Sequence, residues 1–321
     1  METVRVGGHK YSDPDVISLI NATGEFIDPR SAVLNQARKA SADYKALGGN
    51  FDDPLGRVMI IASILGMKTV PMNVEQRSSE RRDAILINTE SGRQILYNAD
   101  RPKQRVAFSI AHEITHTFFP NSIKGSRFRN ICAEESREGN ELERLCDLGA
   151  AEILMPLEDF QTVAVGEYNL ASVDRLSHFF GSSKEATIYR MATAHPGRAV
   201  AGLLKYRHTL SEQRRREKNS KQRNLFSAPK YGKIQEVLPK YRRQSLFLSH
   251  LCDDSYTVRW NKSFDENSCI NQARKGEIVI GMEKLPNDSN KVGRLEAMLA
   301  PYQRADADEA FGDVLFFWEE I

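Results

Sequence analysis

The sequence predicts an α+β fold, and three observations carry that expectation. Long stretches with helical spacing open the chain. Two short apolar runs, 84–88 and 94–98, flank Thr89-Glu90-Ser91-Gly92-Arg93 as the strands of a hairpin would. Two amphipathic helices follow, each gathering ionisable side chains on one face. With 321 residues, 40% of them hydrophobic, the chain is long enough for two or three domains.

Residues 13–48 read as helical, with Asp28-Pro29 as a start and Gly48-Gly49 as a stop. Asp53-Pro54 opens a further helix that runs to Leu65 and is closed by Gly66, and Val70 lies in a short extended piece before the hairpin. The next helix carries Ala111-His112-Glu113-Ile114-Thr115-His116-Thr117. Histidines four residues apart lie one above the other on a helix, so both imidazoles can bind one small cation. Phe108, Ser109, His112, Glu113 and His116 share one side of this helix, and Val106, Ala107, Ile110, Ile114 and Phe118 the other. The pattern is H-E-x-x-H, in which two imidazoles hold Zn²⁺ and the glutamate between them serves as general base.

A third ligand is expected from residues 140–156, a largely apolar helix with spaced carboxylates. Glu143 completes a His, His, Glu set with His112 and His116. Asp147, one turn on, is placed to accept the second ring N–H of a ligand histidine and fix its tautomer. The plain alternative is a structural helix with Glu143 on its surface. Cys146 reads as core, and Ala150 and Ala151 let a neighbouring helix come close. If residues 94–98 form the edge strand beside the cleft, Ile95, Leu96 and Tyr97 offer backbone to a substrate peptide; the alternative is a plain structural hairpin.

Residues 121–139 read as a polar loop, and Cys132 within it as a free thiol. Helices are expected over 157–165, 172–180 and 183–194, the last two with helix-turn-helix spacing, for which a helical pair packed on the peptidase as a cleft wall is the favoured reading; His178 and His195 read as ordinary partly buried histidines, the alternative being that they face the cleft and stabilise the oxyanion. Residues 205–233 are strongly basic around Arg214-Arg215-Arg216 and read as an exposed linker able to meet phosphate backbones. Beyond it, 244–248, 256–260 and 276–282 read as strands, 291–299 as a helix, and the apolar run 314–318 as a segment that must be buried or paired. The expected organisation is thus a zincin-like domain (1–157), a helix-turn-helix-like segment (158–204), a basic linker (205–233) and a small α/β sensor or docking domain (234–321).

The net charge of +2 says little about partners. Four cysteines with no C-x-x-C pair suggest a reducing compartment. The N-terminus lacks a signal-peptide core and the longest apolar run, 58–67, is too short to span a bilayer, so a cytoplasmic chain without membrane association is expected.

Residues 105–116, ending in the motif, and 143–156, from Glu143 to Met155-Pro156, resemble the ImmA/IrrE family of zinc metallopeptidases. The resemblance is specific over about 55–157. It implies Zn²⁺ ligands at His112, His116 and Glu143 and a catalytic base at Glu113. Asp147 stands where many members have Asn, and Cys146 and Gly149 where Ala and Phe are common. The resemblance also implies an endopeptidase that cleaves a regulatory protein, typically a helix-turn-helix repressor, in stress, DNA-damage, mobile-element or phage responses. The competing reading is a DNA-binding transcriptional regulator that contacts DNA through the helix-turn-helix-like segment and basic linker, with a structural or vestigial zinc site.

Overall fold

The computed structural model describes residues 3–24, 27–73, 83–123, 141–215, 217, 238–287, 291–301 and 312–321. Cys132 and most of the expected segments 121–139 and 205–233 lie outside them. Contacts divide the chain into two units, residues 1–163 with 175–183, and 164–174 with 184–321. These differ from the expected boundaries: the helix-turn-helix-like stretch is shared between the units, and residues 199–207 form a strand of the second.

The first unit opens with a two-stranded hairpin, β1 (Val4–Val6) and β2 (His9–Tyr11), followed by α1 (Pro14–Thr23), α2 (Pro29–Ala46) and α3 (Pro54–Ile64). Each helix starts at an Asp-Pro pair. Proline presets the first helical φ and has no N–H to leave unpaired, while the Asp13, Asp28 and Asp53 carboxylates accept from the backbone N–H two residues on. Gly66, at φ 75°, turns the chain out of α3 into β3 (Met67–Pro71).

β4 (Ala84–Thr89) and β5 (Gly92–Tyr97) form the expected hairpin, but β5 is not the edge strand. The order is β3-β5-β4, with β5 parallel to β3 and antiparallel to β4. Ile95, Leu96 and Tyr97 therefore have both neighbours filled and no backbone edge to offer. The sequence concealed this because β3 is a distant partner that no local turn announces. Asp83 fixes the edge strand β4: its carboxylate meets Arg105 and Arg101, the latter at 2.9 Å, which ties the start of β4 to the start of α4 (Lys103–His116).

α4 buries Val106, Ala107, Ile110, Ala111, Ile114 and Thr115. Against it lies α5 (Glu141–Leu154), followed by α6 (Leu157–Val163) and α7 (Val173–Phe180). Gly149 makes the α4–α5 approach possible. A Cβ there would sit 2.7 Å from Thr115 Oγ1 and 2.9 Å from Val33 Cγ1, closer than such atoms pack. Arg57, 2% exposed, donates from Nη2 to Leu154 O and Phe180 O at 3.0 Å each, satisfying helix-end carbonyls of α5 and α7.

The second unit is built on an antiparallel sheet of order β7-β6-β10-β9-β8: β6 (Ala199–Arg207), β7 (Lys240–Leu248), β8 (Val279–Lys284), β9 (Val292–Leu299) and β10 (Val314–Glu320). The apolar run 314–318 is its central strand, buried on both faces as such a strand must be. Residues 291–299, expected as a helix, are β9 over Val292–Leu299. Leu, Glu, Ala and Met favour helix locally, but pairing with β8 and β10 prevails. Residues 256–260 are not a strand; Asp254–Tyr256 is a 3₁₀ turn. One face of the sheet carries α9 (Cys269–Ala273) and the core around Trp318, Phe316 and Tyr256.

α8 (Lys184–Ala194) packs on β6, β7 and β10 and buries Thr187, Ile188, Arg190, Met191, Ala192 and Ala194. Tyr189 stacks on Phe247 with ring centres 4.1 Å apart and bonds Ser245 Oγ at 2.7 Å. No residue of α8 is fully exposed. The residues it does not bury, Lys184, Glu185, Ala186, Tyr189 and Thr193, are half-buried. No described helix is long and apolar enough to cross a membrane.

Candidate metal centre

The motif histidines converge as the spacing requires. His112 Nε2 and His116 Nε2 are 3.2 Å apart, with rings near edge-to-face. From α5, Glu143 places Oε2 3.1 Å from His112 Nε2 and Oε1 3.9 Å from His116 Nε2. Glu143 is 5% exposed, so an isolated carboxylate there would be costly. The plain reading of Glu143 as a surface residue is thereby excluded.

His112 Nδ1 lies 2.9 Å from Asp147 Oδ1, and His116 Nδ1 lies 3.4 Å from Cys146 Sγ. The α5 segment Glu143, Cys146, Asp147 has i, i+3, i+4 spacing and so presents one face to both imidazoles. Asp147 lies against His112, where its position suggested. Cys146 is buried, as expected of core, but it also touches the second histidine, a contact that sequence reasoning missed. Its place three residues after Glu143 is the signal that could have found it.

One donor atom from each of His112, His116 and Cys146 lies within 4.8 Å of the others, so this trio competes with His112, His116 and Glu143 as a ligand set. The two sets differ in which ring atoms they use. The two Nε2 atoms and the Glu143 carboxylate face one point, whereas Cys146 meets His116 on its other nitrogen. Zn–N and Zn–O bonds of about 2.0–2.2 Å in tetrahedral array set donor–donor edges of roughly 3.3–3.5 Å. The 3.1 and 3.2 Å separations are near that edge, and the 3.9 Å one is reached by a small turn of the carboxylate. Two imidazoles and a carboxylate also suit a divalent ion of zinc's hardness.

The electrostatics agree. Burial disfavours a charged His112, but hydrogen bonds to Asp147 and Glu143 and the charges of Asp147 and Glu113 outweigh it, raising its pKa to about 10. The surrounding carboxylates thus favour a positive charge on the His112 ring.

Glu113 follows the first histidine and leans the other way, toward the sheet. Its Oε2 accepts the Leu86 N–H at 3.0 Å. That amide belongs to β4, the edge strand, and points away from β5. The candidate base therefore stands between the candidate donors and the edge strand of the sheet, a relation that sequence spacing did not reveal. In the second unit, His195 is a structural histidine. Its Nδ1 accepts the Gly197 N–H at 3.0 Å and its Nε2 meets Glu319 at 3.2 Å. His178 is exposed.

Comparison with known proteins bears on the same region. Residues 62–192, which contain β3 to β5, helices α4 and α5 and most of α8, match the family model Peptidase M78, described as the IrrE N-terminal-like domain. No curated protein matches the chain by sequence. A solved Mycobacterium tuberculosis transcriptional regulator is similar in fold, with TM-score 0.52 and 11% identity over 95% of this chain and 80% of that one.

Proposed function

From the membership of residues 62–192 in the IrrE N-terminal-like domain family of peptidases, we propose that this protein is a zinc-dependent endopeptidase of zincin-like architecture that cleaves a regulatory protein. The observation that supports it most is the convergence of His112 Nε2, His116 Nε2 and Glu143 beside a glutamate bonded to a strand edge. His112, His116 and Glu143 would hold the ion, and Asp147 would keep the proton of His112 on Nδ1. When bound, the ion supplies Lewis acidity to the scissile carbonyl and to an attacking water.

The chain's own residues supply the rest. Glu113 receives the proton of the attacking water on its carboxylate and returns it to the amine nitrogen of the leaving peptide. The outer edge of β4 offers Leu86 N–H and its neighbours to an extended substrate segment as an added strand. A substrate carbonyl that takes the Leu86 N–H displaces Glu113 Oε2 from it, so strand pairing releases the base where the peptide bond lies. The family suggests a helix-turn-helix repressor as substrate. The test is incubation with repressors encoded beside the gene: wild type cleaves one of them, and Glu113→Gln, still metal-loaded, cleaves none.

A second reading, contact with nucleic acid, has one supporting observation in the second unit. Trp260 is 47% exposed, and the Arg207 and Arg243 guanidinium groups lie over its ring at 5.6 and 4.7 Å. Such cation–aromatic clusters serve backbone and base contacts in nucleic-acid binders, and the fold is shared with a protein titled a transcriptional regulator. The other tryptophan, Trp318, is fully buried, so quenching of emission by oligonucleotide, lost in Trp260→Phe and weakened by salt, would report this contact directly.

A further inference from the structure

An imidazole that binds a cation through one nitrogen carries its proton on the other, and the acceptor of that proton decides how firmly the ring is held. His112 has Asp147 in that position, at 2.9 Å. His116 turns its Nε2 to the same donor point, 3.2 Å from His112 Nε2, which leaves Nδ1 for the proton. The group facing that Nδ1 is the Cys146 sulfur, 3.4 Å away, on a side chain that is 0% exposed. We propose that Cys146 is a positioning residue: its sulfur accepts the His116 Nδ1–H and fixes the tautomer and orientation of the second histidine.

The inference rests on the reading of His112, His116 and Glu143 as the metal site. It assigns the whole exposed-to-site face of α5 to one task. Glu143 is the donor, Cys146 holds one ring and Asp147 the other, at i, i+3 and i+4, opposite two histidines at i and i+4 of α4. A role for Cys146 as ligand instead would require His116 to coordinate through Nδ1. The His112 and Glu143 donor atoms lie instead on the Nε2 side of that ring. Sulfur is a weaker acceptor than a carboxylate, so the two rings are held unequally, with His116 the softer.

The test uses the full chain as wild type, Cys146→Ala and Cys146→Ser, with Zn²⁺ affinity measured by chelator competition and Co²⁺ as spectroscopic probe. Loss of the acceptor in Cys146→Ala lowers zinc affinity by about 10- to 100-fold, the usual effect of removing a ligand's hydrogen-bond partner. Cys146→Ser restores an acceptor and recovers most of the loss. Cobalt-loaded wild type shows no near-ultraviolet sulfur-to-cobalt charge-transfer band. Thermal melts of the metal-free variants separate lost packing from lost positioning, because packing alone shifts the melt without a Cys146→Ser rescue of affinity. A sulfur charge-transfer band in wild type that Cys146→Ala abolishes overturns the proposal in favour of a thiolate ligand. Unchanged zinc affinity in Cys146→Ala overturns it outright. Failure of wild type to bind either ion overturns the metal-site reading beneath it, a result distinct from both.

Discussion

Gly149→Ala tests whether the site depends on the close approach of two helices. A Cβ at this position falls 2.7 Å from Thr115 Oγ1 and 2.9 Å from Val33 Cγ1. Ordinary contact needs about 3.4 Å or more, so α5 must retreat from α4 and α2 by roughly half an ångström or more. Overpacking of this kind costs about 1–3 kcal/mol. Alanine in place of a mid-helix glycine returns about 1 kcal/mol through helix propensity. The net loss of stability is therefore about 0–2 kcal/mol, read from urea unfolding of the metal-free protein. The effect on the metal centre is larger in proportion. Glu143 and Asp147 ride on α5 while both histidines ride on α4, so the 3.1 Å and 2.9 Å contacts between the helices lengthen together. Zinc affinity then falls by about 10-fold or more. Removing the obstructing side chain with Thr115→Ala restores part of that affinity. A Gly149→Ala protein that is more stable than wild type and binds zinc equally well would refute the argument.

Other outcomes follow from single side chains. Glu141, at the start of α5, accepts from the Ser12 and Asp13 N–H groups and the Ser12 hydroxyl; burial opposes its charge, but these bonds outweigh it and hold its pKa below the usual value of 4.5. A depressed folded-state value stabilises above the unfolded pKa and is lost as pH falls through the folded one. Acid unfolding below about pH 4.5 should therefore show a smaller pH slope in Glu141→Gln than in wild type, and equal slopes would exclude this role. The Cys269 thiol is pushed up to about 12, by burial first and then by Glu283. It should resist iodoacetamide at about pH 8, where an ordinary thiol is substantially ionised, and react once the protein is unfolded; rapid labelling of native Cys269 would contradict that. Trp318→Ala, which removes a fully buried indole whose Nε1–H donates to Glu283 O at 3.1 Å, should cost about 3–5 kcal/mol in urea unfolding, and a loss under 1 kcal/mol would mean the second unit has another core.

The features that were legible in the sequence are those set by local chemistry. Asp28-Pro29 and Asp53-Pro54 mark helix starts because the cap and the proline act within two residues of each other. The motif helix and the Glu143 helix were legible because a 3.6-residue period fixes which side chains share a face. The parts that were not legible depend on partners far along the chain. β5 looks like an edge until β3 is placed beside it. Residues 292–299 look helical until β8 and β10 flank them. Pro196-Gly197 signals a turn after the third helix, but nothing local tells that Ala199–Arg207 then pairs with strands far along the chain, and α8 reads as a free helix until β6 and β7 cover it. At the site, the donors were legible from spacing, whereas the contacts that orient them, Leu86 N–H to Glu113 and Cys146 to His116, needed the packing of strand and helix against the motif.

The central claim is that His112, His116 and Glu143 hold a metal whose chemistry Glu113 completes. Its most direct test is zinc content measured beside repressor cleavage for wild type, Glu113→Gln and Glu143→Ala. Wild type and Glu113→Gln should carry stoichiometric zinc, wild type alone should cleave, and Glu143→Ala should lose most of its zinc. Full zinc occupancy in Glu143→Ala, or undiminished cleavage by Glu113→Gln, would contradict it.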